Sequence, residues 1–448
     1  MKSKQFFAGI LISSFLLTAA SGCMEKSKPI TDIATIEQKS SGTAIYELAS
    51  GNSSKTDEEE RKRAYSEFSV GLIRHCAENA GDKNFLVSSD SVLLALEMTA
   101  AGADGETLDQ MLGTLVPGVA KEDAFLFAVD RMDQLKSDQL KIANSVWLND
   151  KTKVAFYNSY LDYVREHFDA QIEAVPFTDS GINTINSWVH DKTDGMIDKL
   201  VNKLESDDVM VLVNALAFDA KWKKPFEEEN IEDMTFHCLD GSKEDCRFLC
   251  GEKDVVYLHN EKSTGFYKLY EGGKYAFMVM LPGAPEPDVL TSLDDLSDPS
   301  PKDSEDDYFT YDINTFVADM TAKDYWQFWN SANQDNVEYA FPEFTSEYDT
   351  SLRDILIDMG MADAFDPAKA DFGNMSNLTP LNIADVIHKT RIEVTAEGTK
   401  AAAATGVVME HNAVIMNREV ICDRPFAYAI VDVETGLPIF FGTVTHVK

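Results

Sequence analysis

Residues 395–405 read TAEGTKAAAAT, and the next twelve residues read GVVMEHNAVIMN. Four consecutive alanines favour a helix, but here they lie between Gly398 and a glycine-interrupted tail rich in valine. In an extended strand, alternate side chains face opposite sides. One face of this stretch would then carry only uncharged side chains, namely Thr399, Ala401, Ala403, Thr405, Val407 and Met409. Lys400 and Glu410 would lie on the other face, so the stretch reads as a strand of small residues with one face suited to burial.

Composition limits the possible functions of the 448-residue chain. Its 44% hydrophobic content is enough for a large core, which excludes global disorder. With 40 basic and 76 acidic residues, the chain carries a net charge of −36. Nucleic acids and anionic membrane surfaces are bound through clustered Lys and Arg. We therefore expect no nucleic-acid partner and no direct binding to a membrane surface.

The N-terminus has the features of a targeting segment. Lys2 and Lys4 precede an apolar stretch at 6–20, FFAGILISSFLLTAA. The following ASGC at 20–23 resembles a bacterial lipobox, which predicts a lipoprotein signal peptide over 1–23 with lipidation at Cys23. An ordinary signal peptide that happens to contain a cysteine is the alternative. Residues 24–60 are polar and predict a flexible tether. The expected location is therefore extracellular, at the cell surface, with the membrane reached only through the lipid anchor.

The other five cysteines do not form a disulfide framework, because their number is odd and the domain is large. Cys238, Cys246 and Cys250 are close enough in sequence for a bridge, or for a metal site without the usual C-x-x-C spacing. Unpaired thiols are the interpretation we favour. The sequence therefore predicts no metal and no cofactor.

Hydrophobic periodicity predicts one mixed α+β domain over 61–448. Helices and strands alternate without a regular βα pattern, and YKLYEGGKYAF predicts an antiparallel hairpin. Expected strands cover 84–89, 141–148, 209–218, 267–282 and 336–344, and expected helices cover 61–79, 155–168, 351–361 and a segment starting at Ser91. The proline-rich and acidic stretch at 282–307 predicts an exposed loop.

Motifs that carry enzyme chemistry do not occur in the chain. G-x-S-x-G, H-E-x-x-H, Walker A and G-x-G-x-x-G after a strand are all missing. His388, within ADVIHKTRIEV, is surrounded by apolar residues, which is typical of a core histidine. We therefore expect no catalytic residues and no enzymatic activity.

Seven motifs, in order, resemble those of the serpin family over essentially all of 61–448. They are NFLVSSDSVLLALEMTAAGADGETLDQM at 84–111, INSWVHDKTDGMI at 185–197, VLVNALAFDAKWKKPF at 211–226, VEYAFPEF, MGMADAFDPAKADFGNMS, DVIHKTRIEVTAEGTKAAAAT and DRPFAYAIVDVETGLPIFFGTV. The sequence departs from the family pattern at Ser89, where proline is usual, at Asp219-Ala220, where Lys-Gly is usual, and in a longer 282–320 connection. These departures concern local details.

The resemblance implies three β-sheets, about nine helices and an exposed reactive-centre loop. It places Ser88, Ser91, Asn214 and His388 in the shutter, a polar cluster beneath the central strands, and Trp222 at the breach, near the point of loop insertion. Ordinary core packing is the alternative role for these residues. The reactive-loop hinge consists of Glu397, Gly398, Thr399, Ala401, Ala402, Ala403, Ala404 and Thr405.

The resemblance also implies a mechanism in which a protease cleaves the loop and the loop then inserts into the central sheet. Small uncharged side chains on the inward face suit this insertion, and Gly398 would give the pivot its backbone freedom. The expected function is therefore suicide inhibition of an extracellular serine protease through a covalent acyl complex, by a monomer. A cysteine protease is a second possible target, and a non-inhibitory serpin serving as a surface binding module is the alternative function.

The scissile bond is expected between Asn412 and Ala413. Cleavage in the family usually falls sixteen positions after the start of the hinge, which corresponds here to Ala396. The surrounding residues are small and apolar, which favours serine proteases of elastase-like or subtilisin-like preference. Arg418 lies too far along the chain for the usual loop length, so trypsin-like targets are disfavoured.

Overall fold

The computed structural model describes the backbone of residues 35–36 and then residues 56–151, 154–205, 208–283, 312–377, 380–399 and 418–448. Its α-helices are α1 (Glu58–Ala80), α2 (Ser89–Ala100), α3 (Gly105–Leu115), α4 (Lys121–Leu135), α5 (Asn158–Phe168), α6 (Asp179–Lys192), α7 (Ile313–Ala318), α8 (Ala322–Trp329), α9 (Arg353–Asp358) and α10 (Ala362–Phe365).

The strands of the described residues number nineteen. They are β1 (Thr35–Ile36), β2 (Phe85–Val87), β3 (Leu140–Asn149), β4 (Phe156–Tyr157), β5 (Gln171–Val175), β6 (Met210–Phe218), β7 (Ala220–Lys221), β8 (Ile231–His237), β9 (Lys243–Glu252), β10 (Val256–His259), β11 (Ser263–Leu269), β12 (Tyr275–Pro282), β13 (Val337–Pro342), β14 (Phe344–Ser351), β15 (Ile387–Val394), β16 (Gly398–Thr399), β17 (Arg418–Ile421), β18 (Phe426–Asp432) and β19 (Pro438–Val444).

Helix α1 begins earlier than the sequence predicted. The side chain of Asp57 caps it by accepting a hydrogen bond from the Glu60 N–H, and three glutamates occupy its first turn. Negative charge at this end of a helix is favourable because the backbone N–H groups are unpaired there. The tether predicted over 24–60 is therefore wrong for its last three residues, which form the first turn of this helix.

Two sheets form much of the core. One has six strands in the order β10-β11-β12-β18-β19-β2, and the other has four in the order β17-β13-β9-β8. Strands β12, β18 and β19 are buried along their whole length, which explains their nearly continuous apolar sequences. Phe277, Phe341 and Tyr428 pack between these sheets, with the ring of Phe277 5.3 Å from that of Phe341 and 5.8 Å from that of Tyr428.

The third expected sheet is present in two parts. Strands β5-β3-β6 form one part, and β14-β15-β16-β7 form the other. Strands β1 and β4 make a further two-stranded parallel pair. The described residues thus contain five hydrogen-bonded sheets, where the resemblance implied three, because β6 and β15 belong to different ladders and β1 and β4 form a separate pair. This separation leaves an opening between β6 and β15.

The mixed α+β class is confirmed, with ten α-helices in the described residues where about nine were expected. Helix α2 begins at Ser89, two residues before the predicted start, because the Ser88 side chain is its N-cap. The helix expected at 351–361 is interrupted between α9 and α10 by Gly360, whose φ of 120° is unfavourable for other residues. None of the helices within the described ranges is long and apolar enough to cross a membrane. The five cysteines in these ranges are free thiols, as predicted.

Candidate functional site

The residues predicted for the shutter form one hydrogen-bonded cluster. Ser88 lies at the N-terminus of α2, and its backbone N–H donates to Nε2 of His388, 3.1 Å away on β15. The Ser88 hydroxyl accepts from the Ser91 N–H at 3.2 Å, and the Ser91 hydroxyl donates to the amide oxygen of Asn214 on β6. The cluster therefore connects α2 with β6 and β15, the two strands on either side of the opening in the divided sheet.

Asn144 is a member of this cluster that the sequence did not reveal. Its amide oxygen accepts from the Asn214 amide at 2.7 Å, and its own amide donates to the Phe168 carbonyl at 2.8 Å. Asn144 lies on β3, directly opposite Asn214 in the β3–β6 ladder. The network thus continues from β6 into the next strand, and this pairing depends on register rather than on a local motif.

His388 is held in its neutral form. Burial lowers the pKa of its imidazole from 6.5 to about 4, because the interior disfavours the charged form. Its Nε2 accepts the Ser88 N–H, so the proton of the neutral ring is on Nδ1. Nε2 is therefore unable to act as a base toward either serine hydroxyl. The cluster of Ser88, Ser91 and His388 is a structural network and lacks the arrangement of a catalytic Ser–His pair.

A cavity of about 400 Å³ lies at this cluster. Its walls include Val211 and Val213 of β6, Ile387 and His388 of β15, and Ser91 and Ala95 of α2. The cavity therefore lies where two halves of the divided sheet face each other above α2. An added strand at this position would find a partner strand on each side.

Trp222, the residue predicted for the breach, lies at the other end of this opening. Its indole N–H donates to the Thr395 carbonyl at 2.9 Å, and its backbone N–H donates to the Glu397 carbonyl at 3.0 Å. The Trp222 ring stacks on Tyr270 at 4.5 Å with an interplanar angle of 9°. The hydroxyl groups of Tyr270 and Thr399 are hydrogen-bonded at 2.6 Å. Trp222 and Tyr270 thus hold the start of the hinge.

Tyr270 was not predicted from the sequence, although it lies in the YKLYEGGKYAF hairpin. A tyrosine in a hairpin gives no sign that it contacts a segment more than a hundred residues away. Glu343 was missed for the same reason. Its carboxylate accepts from the Ala396 N–H at 3.0 Å and forms an ion pair of 3.3 Å with Arg247. Glu343 thus holds the backbone at Ala396, and Tyr270 holds the side chain of Thr399.

The first hinge residues already form a short strand. Gly398 and Thr399 pair antiparallel with Lys221 and Ala220, and Thr399 is also opposite Val394 of β15. A Cβ atom on Gly398 would lie only 2.2 Å from the Ala220 carbonyl oxygen. Close backbone approach therefore explains this glycine, rather than the pivoting freedom expected from the sequence.

Thr399 is fully buried, on the face that the alternation predicted to point inward. Of the other predicted site residues, Ala401, Ala402, Ala403, Ala404, Thr405, Asn412, Ala413 and Cys23 lie outside the described residues. The described part of the hinge therefore ends one residue into the expected insertion segment.

The geometry defines a class of protein with a divided central sheet and a loop whose first residues already lie between the two halves. The family model described as "Serpin (serine protease inhibitor)" matches residues 63–447, and the chain belongs to the serpin family. A "serpin-like protein" from Methanosarcina mazei is 27% identical, with 98% of this chain and 97% of that protein covered. Members of the family are in general protease inhibitors rather than catalysts.

Two solved structures show the same fold. The thermophilic serpin tengpin in its native state is 31% identical, with a TM-score of 0.78 over 94% of this chain and all of tengpin. A thyroxine-binding globulin in complex with thyroxine is 20% identical, with a TM-score of 0.70 over 88% of this chain and all of that protein. The second likeness is a likeness of fold alone.

Proposed function

We propose that this protein inhibits an extracellular serine protease by inserting its cleaved reactive loop between β6 and β15. The observation that carries the proposal is the position of β16. Gly398 and Thr399 are hydrogen-bonded on one side to β7, which continues β6, and on the other side to the end of β15. The loop thus enters the sheet at the point where its two halves separate.

The two ladders define a register for the inserted strand. Thr399 is opposite Val394 on one side and Ala220 on the other. If both antiparallel ladders continue without a bulge, Thr405 would lie opposite His388 and Asn214. Insertion would then reach the shutter cluster after six residues, and shutter contacts would control how far the strand can enter.

The same register predicts which side chains become buried. His388, Thr390, Ile392 and Val394 of β15 point into the protein. Directly opposite residues of neighbouring strands point to the same face. Ala401, Ala403 and Thr405 would therefore follow Thr399 inward, and each is small and uncharged. Lys400 would remain on the outer face, in contact with solvent.

The covalent step of the mechanism is supplied by the protease. Its serine hydroxyl attacks the carbonyl carbon of the scissile bond, the amine of the following residue leaves with a proton, and an acyl-enzyme ester remains. Insertion of the new C-terminal end of the loop would move the attached protease across the sheet before water cleaves the ester. The inhibitor contributes no catalytic group.

The remaining parts of the proposal rest on sequence. The small apolar residues around Asn412 and Ala413 favour an elastase-like or subtilisin-like target, and a cysteine protease could also form the acyl complex. Cys23 would anchor a monomeric domain to the cell surface through a lipid and the polar tether. Only a protease with access to this surface would be inhibited.

The proposal is tested by incubating the purified protein with elastase-like and subtilisin-like proteases. An inhibitor of this class gives a band of the summed mass that resists SDS, and mass spectrometry of the released peptide should show Ala413 as its first residue. A nicked chain without a complex for every active protease would favour the surface binding module. A released peptide beginning at Glu419 would contradict both the Asn412–Ala413 bond and the preference for apolar targets.

A further inference from the structure

Two segments far apart in sequence meet beside the β8–β9 hairpin. Cys238 immediately follows β8, Asp240 lies in the turn before β9, and His446 follows β19 near the C-terminus. The Leu239 N–H donates to the Thr445 carbonyl at 3.2 Å, which ties the turn to the C-terminal segment. Three different kinds of metal-binding side chain are thereby brought to one place.

The distances at this place suit a small cation. The sulfur of Cys238, a carboxylate oxygen of Asp240 and a ring nitrogen of His446 all lie within 4.8 Å of one another. His446 Nε2 is 3.5 Å from Asp240 Oδ1. Ligand atoms around tetrahedral zinc, with the usual bond lengths, are about 3.3–3.6 Å apart. The ligands would need only small side-chain movements to reach that geometry.

Neighbouring groups hold these side chains in position. The Asp240 carboxylate accepts from the Ser242 N–H at 2.9 Å and the Ser242 hydroxyl at 2.6 Å. Nδ1 of His446 is 3.1 Å from the Thr445 hydroxyl, which leaves Nε2 directed toward Asp240. The backbone N–H of His446 also donates to the side-chain oxygen of Asn84 at 3.1 Å. Supporting contacts of this kind orient metal ligands in known sites.

The surroundings carry excess negative charge. The carboxylates of Glu244 and Asp240 both lie close to the Cys238 thiol. The Glu244 carboxylate is held nearby by the N–H groups of Val447 and Lys448, at 2.8 and 2.9 Å. A bound divalent cation would offset this charge and favour the thiolate.

We propose that Cys238, Asp240 and His446 bind one Zn²⁺ ion, with water as the fourth ligand. The thiolate and imidazole distinguish the site from those of Ca²⁺ and Mg²⁺, which prefer oxygen ligands alone. The ion would join the turn after the edge strand β8 to the residues after β19. This inference departs from the sequence-based expectation of no metal, because the sequence separates Cys238 and His446 by more than two hundred residues.

The test is a zinc titration of the full-length protein without a polyhistidine tag, followed by calorimetry. We expect one equivalent of Zn²⁺ to bind, and His446→Gln, Asp240→Asn and Cys238→Ala each to weaken the affinity at least about tenfold. His190→Gln is the matched control. His190 and Asp198 form an exposed pair at 3.1 Å outside this cluster, so that substitution should leave the affinity unchanged.

Co²⁺ provides an independent reading, since a cobalt–thiolate bond gives a charge-transfer absorption. That absorption should be present in the native protein and in Cys250→Ala, and absent in Cys238→Ala. If Cys238→Ala does not fold, as judged by circular dichroism, the zinc affinity of His446→Gln decides, because the side chain of His446 is partly exposed. Absence of one-equivalent zinc binding, unchanged affinity in His446→Gln, or cobalt binding without the thiolate absorption would each overturn the proposal.

Discussion

Acidification should loosen the shutter through His388. In the native protein burial lowers the pKa of this histidine to about 4, whereas an unfolded chain has a histidine pKa of about 6.5. Below pH 6.5 the unfolded chain takes up a proton that native His388 resists. The contribution of His388 to stability is therefore complete above pH 6.5 and is lost as the pH falls toward 4.

The size of the effect follows from these two values. At pH 5 the native state should lose about 2 kcal/mol relative to pH 7 because of this single group. For a domain of this length the entropy of unfolding is roughly 0.8 kcal/mol per kelvin, so the melting temperature should fall by about 2–3 °C.

Many carboxylates also titrate in this pH range, so the assay compares variants. His388→Gln keeps a side-chain oxygen that can accept the Ser88 N–H. Between pH 7 and pH 5, the melting temperature of this variant should fall by about 2–3 °C less than that of the native protein. His190→Gln, a substitution at an exposed histidine, should behave like the native protein. NMR of the imidazole resonances gives the pKa directly. A His388 pKa near 6.5, or equal pH dependence in His388→Gln and the native protein, would refute the reasoning.

Three further predictions concern other parts of the chain. Ala403→Arg should convert the inhibitor into a substrate, because the register of the inserted strand places this side chain on the buried face, where an unpaired charge costs several kcal/mol; an unchanged stoichiometry of inhibition, measured against Ala403→Ser, would show that Ala403 does not face inward in the inserted strand. Glu97 is fully buried, neither of its carboxylate oxygens has a hydrogen-bond partner within the described residues, and burial raises its pKa well above the usual value. Glu97→Met should therefore raise the free energy of unfolding by about 1–3 kcal/mol at pH 7, with a smaller gain near pH 4, where the unfolded chain is also protonated; a gain that does not increase with pH would contradict a protonated Glu97. Cys23→Ser should move the protein out of the membrane fraction, as followed by fractionation and mass spectrometry, and retention there would argue against the lipid anchor.

Much of the fold could be predicted because the family motifs are short, local patterns that occur along the chain in the family's order. The seven motifs identified the architecture, and the alternation from Thr399 onward predicted the buried face of that residue. The shutter residues Ser88, Ser91, Asn214 and His388 came from the resemblance, and the structure brings all four together.

The features that the sequence did not predict depend on contacts between distant segments. Asn144 joins the shutter only because the β3–β6 register places it opposite Asn214. Tyr270 reaches Thr399 across a fold that no local pattern describes. The division of the central sheet has the same origin, because the arrangement of the whole fold, and no local pattern, decides whether β6 and β15 pair. At the N-terminus the reason is different, because the charged run beginning at Asp57 can serve as a tether or as a capped helix start.

Insertion of the cleaved loop is the central claim, and the melting temperatures of intact and loop-cleaved protein test it most directly. If roughly ten residues enter the opening as a central strand, with about 1 kcal/mol gained for each hydrogen-bonded residue, the cleaved protein should melt more than about 10 °C above the intact protein. The comparison uses protein nicked within 406–417 by a protease that leaves the rest of the chain intact, checked by mass spectrometry. Ala403→Arg, cleaved in the same way, should show a much smaller increase, because the register places this side chain on the buried face of the inserted strand. Equal melting temperatures for the intact and cleaved native protein would contradict insertion, and with it the proposed mechanism of inhibition.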